Sequence, residues 1–179
     1  MRAPTLFLAS AVLALSGFAL AQSPGYKPAP AGGWDANTLA GKWTYRSFLN
    51  DPTLCCESSD DDKNAKNLFK LLFAEAVFTF QLPSNTTLTG AIDWDGGGLD
   101  LQGTVTAGDA GQPAVKIIGT GRPNSSTAYW EYDYEGRLAY RWPNGVNQVP
   151  ALVGSVIRAK PHGNNPAGLV ASFIALKQP

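Results

Sequence analysis

The sequence predicts an all-β domain, an antiparallel up-and-down barrel of about eight strands with one short helix, on three observations. Short segments alternate apolar and polar side chains, and turn clusters bearing Gly, Asn, Asp or Pro separate them at regular spacing. The composition, with 19 Gly, 13 Pro and 11% aromatic residues, favours turns and bulky strand positions over long helices. A β-sandwich would answer the same rhythm. The barrel is preferred because closure removes the edges that an open sheet must otherwise protect.

The elements follow in order from near Trp34. Residues 38–49 hold Trp43 and Tyr45 in alternation with polar neighbours while Phe48 falls out of phase, which reads as a strand with a bulge near Arg46 and Ser47. Residues 50–64, with Cys55, Cys56 and the run Asp60-Asp61-Asp62, read as a long exposed loop. Ala65, Leu68, Phe69, Leu72 and Phe73 recur at helical spacing, whereas Phe78, Phe80 and Leu82 recur at strand spacing, so a short helix should feed a strand. Strands are expected at 87–94, 99–106 and 114–120, joined by glycine-bearing turns at 95–98 and 108–111. The rhythm continues with strands at 127–134 and 138–142 about a turn near Glu135-Gly136, then a Pro143-Asn144-Gly145 turn. Strands at 152–159 and 169–176 flank a loop at 161–166.

Ahead of the barrel, Arg2 precedes an apolar run over residues 5–20, and Ala19-Leu20-Ala21 fits a small-x-small cleavage pattern. Residues 1–21 therefore read as a secretory signal peptide, 22–33 as a flexible lead-in rich in Pro, Gly and Ala, and 34–179 as one β-barrel domain. The expected location is secreted or periplasmic. No later apolar run is long enough to span a bilayer, so a soluble mature chain is expected. With 14 basic and 14 acidic residues, nothing marks a nucleic-acid binder. Adjacent Cys55 and Cys56 leave three states open: a strained vicinal disulfide, a covalent dimer contact or two free thiols. A bond between neighbours would constrain almost no chain.

The segment Leu39-Ala40-Gly41-Lys42-Trp43 resembles the Gly-x-Trp signature of the calycin barrels, the group that includes lipocalins, avidins and a bacterial metalloprotease-inhibitor family. The resemblance implies that Trp43 closes one barrel end and packs near a basic residue of the last strands, Arg158 or Lys177, by a cation–π contact. No later lipocalin motif or avidin biotin contact is recognisable, so it implies a fold and not a ligand.

The densest chemical feature is aromatic. Trp130, Tyr132 and Tyr134 share one face of the strand expected at 127–134, and Tyr140 and Trp142 share a face of the next. A three-residue loop at 135–137 would set Tyr140 opposite Tyr132, Trp142 opposite Trp130 and Glu131 opposite Arg141. With Trp43, these five aromatics form the candidate ligand-binding set, and the same residues would also serve as ordinary barrel core. Glu131 and Asp133 fall on the outer face, where solvated carboxylates are expected. Asp93, Asp95 and Asp100 flank Gly96-Gly97-Gly98, which suits either oxygen ligands for a cation or a tight hairpin, and the hairpin is preferred.

His162 is the sole histidine and falls in the 161–166 loop, which excludes multi-histidine metal sites. No nucleophile elbow, phosphate-cradling loop or dinucleotide fingerprint is present, and no catalytic residue, metal or cofactor is expected. Asn85 and Asn124 head glycosylation sequons in expected turns. The leading expectation is a secreted barrel that holds a small apolar or aromatic molecule. The alternatives are a secreted enzyme inhibitor or other protein-interaction module, using residues 22–33 or 55–62, and a barrel-type cyclase or isomerase.

Overall fold

A computed structural model describes residues 34–51, 53, 69–108, 111–141 and 147–179. The expected signal peptide and lead-in, Cys55, Cys56, the acidic run, Trp142 and the 143–145 turn lie outside the described residues. Eight strands run β1 Gly41–Leu49, β2 Leu72–Ser84, β3 Thr87–Trp94, β4 Gly97–Ala107, β5 Pro113–Gly121, β6 Glu131–Leu138, β7 Ala151–Arg158 and β8 Val170–Lys177. Each pairs with its neighbours in sequence, and β1 closes onto β8, giving the antiparallel up-and-down barrel rather than a sandwich. No helix among the described residues is long and apolar enough to cross a membrane.

Alternation sets the inside. On β5, Val115 and Ile117 are buried while Lys116 and Ile118 face out, and on β8 Ala171, Phe173 and Ala175 are buried. The expected bulge is present where the β1–β2 register shifts between Ser47 and Phe48. Tyr45 packs edge-on to Phe78 at 4.8 Å and to Tyr134 at 6.3 Å, and lies 5.5 Å from Phe173, forming the middle layer of the core. Of the helix expected to feed β2, residues 69–71 are helical, and Leu72 and Phe73 already belong to the strand.

One end of the barrel is sealed. A 3-10 helix, Ala36–Leu39, is capped by Asp35, whose carboxylate accepts from Thr38 N at 3.0 Å, so Thr38 precedes the strand instead of opening it. The helix drops Leu39 onto Trp43, whose Nε1 donates to Leu39 O at 2.9 Å. Lys177 Nζ lies 5.9 Å from the Trp43 ring and donates to Thr38 O at 2.7 Å, so of the two cations expected near this tryptophan it is Lys177 that takes the place. Gly41 turns the chain from helix to strand at φ +112°, a conformation that favours glycine.

The aromatic hairpin expected at 127–142 does not form. Glu135 and Gly136 lie inside β6, where Gly136 pairs with Gly154, and Tyr132 pairs with Gly119 and Arg158 rather than with Tyr140. The glycine that reads as a turn is a packing glycine, since a Cβ on it would stand 3.0 Å from Phe173 Cζ and 3.0 Å from Val153 O. Of the strand expected at 138–142, Leu138 ends β6 and 139–141 are irregular, and Glu131 bonds Lys160 at 2.6 Å instead of facing Arg141.

Candidate ligand-binding cavity

Strand direction places the N-terminal ends of β2, β4 and β6 and the C-terminal ends of β3 and β7 at the barrel end opposite the Trp43 seal. A cavity of about 350 Å³ lies there. Tyr45, Ile92, Leu99 and Tyr134 line its depth, and Phe73, Trp94, Trp130, Tyr132, Arg158 and His162 its upper wall. The volume is in the range of small-molecule pockets.

Trp130 ends the connection from β5. Its N donates to Thr127 O at 2.8 Å and its O accepts from Gly121 N at 2.9 Å, so the ring is held by a tight turn rather than by the expected strand. The Thr127 hydroxyl ties that turn to β4 through Gly98 O at 2.8 Å. The Trp130 ring stacks on His162 at 3.9 Å and 14° and runs near-parallel to Trp94 at 6.1 Å and 18°. Phe73 and Tyr132 meet at 6.3 Å beside them.

The polar groups form a chain. Arg158 Nε lies 3.2 Å from Tyr132 Oη, and Tyr132 Oη lies 2.7 Å from His162 Nε2. A guanidinium only donates, so Tyr132 accepts from Arg158, while the direction of its bond to His162 follows the imidazole tautomer. Arg158 also donates from Nη1 to Pro166 O at 3.1 Å and is 5% exposed. Its guanidinium lies 5.7 Å from the Phe73 ring and 6.0 Å from that of Tyr132.

Burial, and after it the charge of Arg158, lowers the pKa of His162 below the ordinary imidazole value of 6.5. The unfolded chain then binds the proton more readily, so stability is expected to be flat above about pH 6.5 and to fall as pH drops through the lowered folded value. Because the chain holds one histidine, its imidazole NMR resonances report this directly. A folded-state midpoint at or above 6.5 would contradict the burial of His162 beside the charge of Arg158. Burial pushes the phenols of Tyr45 and Tyr134 upward, keeping both protonated.

Of the aromatics expected to bind ligand, Trp130, Tyr132 and Tyr134 meet at this cavity. Trp43 is fully buried in the seal at the other end, and Tyr140, 48% exposed, follows β6 on that same far side. Trp142 lies outside the described residues. Sequence reading missed Arg158 and His162 as members of the site. Parity on β7 carries Arg158 inward with Leu152 and Val156, a signal that was present, whereas nothing local announces His162.

The carboxylates form no rival site. Arg122 bridges Asp93 at 2.7 Å and Asp100 at 2.8 Å, which engages two members of the acidic turn expected either to hold a cation or to shape a hairpin. Asp95-Gly96 makes the tight β3–β4 turn. Among the described residues no group of three His, Cys, Asp or Glu side chains is placed to hold a metal ion. Comparison with protein-family models, curated proteins and solved structures finds no match, so the reading of the site rests on its own geometry.

Proposed function

We propose that this chain is an exported, calycin-like binding protein that holds a small aromatic or apolar molecule in the cavity between Trp130 and the Tyr45–Tyr134 floor. The observation that carries the reading is the asymmetry of the barrel. One end is packed shut by Leu39, Trp43 and Lys177, while the other keeps about 350 Å³ lined by three stacked or parallel rings and two polar groups. The calycin-like part is supported by the Gly41–Trp43 segment beneath the 3-10 helix with Lys177 against the ring. Export is supported by the pattern of residues 1–21.

Tryptophan fluorescence tests the binding. Saturable quenching by a flat aromatic compound is expected, and Trp130→Ala should abolish it while far-UV circular dichroism and the thermal midpoint stay close to those of the parent. Quenching that persists in that variant would move the site away from this cavity. The interaction-module reading relied on residues 22–33 and 55–62, which lie outside the described residues. A cyclase or isomerase would need the Tyr132–His162 pair as its proton-handling groups, and conversion of the bound compound would be its sign.

A further inference from the structure

We infer that the cavity takes a planar aromatic anion, a carboxylate in the first place, with its acid group on Arg158 and its ring against the Trp94–Trp130–His162 wall. The inference rests on the binding reading above and names the ligand class of that site.

The polar end of the cavity offers donors. Arg158 uses Nε on Tyr132 and Nη1 on Pro166 O, and Nη2 has no hydrogen-bond partner among the described residues. None of the ion pairs among the described residues includes Arg158, although it is almost wholly buried. A charge withdrawn from water without a counter-charge is costly, and a bound anion would supply what the protein does not. Tyr132 engages His162 through Nε2, and the other ring nitrogen, Nδ1, has no hydrogen-bond partner among the described residues. Glu75, the one carboxylate of the lining, is already held by Arg46 Nε at 2.6 Å. A ligand carboxylate would supply the acceptor that this end lacks among the described residues.

The apolar part of the cavity sets the shape. Trp94, Trp130 and His162 lie within 18° of parallel in their two pairings, and the Phe73 and Tyr132 rings stand beside them. A flat ring gains stacking on such a wall that a flexible alkyl chain does not. The fork of a guanidinium matches a carboxylate in the same way, which an ammonium would not reproduce.

The test compares 2-naphthoate, its neutral isostere 2-naphthamide and the cation 2-naphthylmethylammonium by titration calorimetry on the purified protein. The acid is expected to bind about tenfold to a hundredfold more tightly than the amide, because the charge-assisted bond forms inside the barrel. The preference should survive raised salt, since a buried pair is screened little. Arg158→Gln should erase the preference, so that acid and amide bind with equal affinity, and Arg158→Lys should retain part of it. Equal affinity for acid and amide, or a preference for the cation, would overturn the inference and leave a binding cavity. Failure of all three to bind would overturn the binding reading with it. The comparison on the unmodified protein decides the matter even if a variant fails to fold.

Discussion

Trp43→Ala is expected to lower the unfolding free energy by about 3–5 kcal/mol, the range for emptying a fully buried large aromatic site. Trp43 is 0% exposed, and its loss removes more than ring volume. The Leu39 carbonyl would lose the indole donor at 2.9 Å, and the ammonium of Lys177 would lose the ring face beneath it. Water would then reach the sealed end between the 3-10 helix and β8. Urea denaturation measures the loss through a lower midpoint with an unchanged slope. The cavity lies at the other end, so affinity for an aromatic ligand, measured below the transition, should change little. A variant as stable as the parent would mean that the seal contributes nothing and that the asymmetry of the barrel has another origin.

Gly121→Ala is expected to destabilise by about 3 kcal/mol, at the upper end of what overpacking usually costs. A Cβ at this last residue of β5 would overlap the Thr127 carbonyl oxygen and press on Trp130 N. Both obstacles are backbone, so no rotamer change relieves them. The connection from β5 to β6 would have to move outward, breaking the Gly121 N to Trp130 O bond at 2.9 Å and the Thr127 hydroxyl bond to Gly98 O at 2.8 Å. The Trp130 ring would leave its place over His162. Near-UV circular dichroism, sensitive to the environment of tryptophan, should change together with the unfolding midpoint. An unchanged spectrum would show that the turn does not press on β5 as closely as described.

The strands β3, β4, β5, β7 and β8 were legible in the sequence because each has one face in the core, and a period of two is a strong local signal. The reading failed at β6 for a physical reason. Glycine marks a turn when it supplies backbone freedom, but Gly136 serves by lacking a side chain, making room for the Phe173 ring that arrives from β8. That is a long-range fact, and residues 131–138 contain no trace of it. The slip then carried the aromatic faces with it, placing Tyr140 beside Tyr132 when the two stand at opposite ends of the barrel. Trp43 shows the opposite case, in which a short segment resembling a known barrel signature pointed to a closed end and to Arg158 or Lys177 as its cation, of which Lys177 takes the place. Of the cavity, Tyr132, Tyr134 and Arg158 could be read from strand parity, while His162 comes from a loop and Trp130 from a turn, where no period operates.

The bond from Lys177 Nζ to Thr38 O joins positions 139 apart, and the β1–β8 pairing from Trp43–Lys177 to Leu49–Ala171 lies beside it. Every other neighbouring pair of strands is consecutive in the chain, but this seam has to wait for the end of it. Loop-closure entropy and the non-local character of the pairing make it the natural late step of folding. Before it forms, β1 and β8 each present a row of unpaired backbone groups to any passing strand. The time spent with the seam open, more than the depth of the native minimum, would then govern how much of a freshly released chain is lost to aggregation.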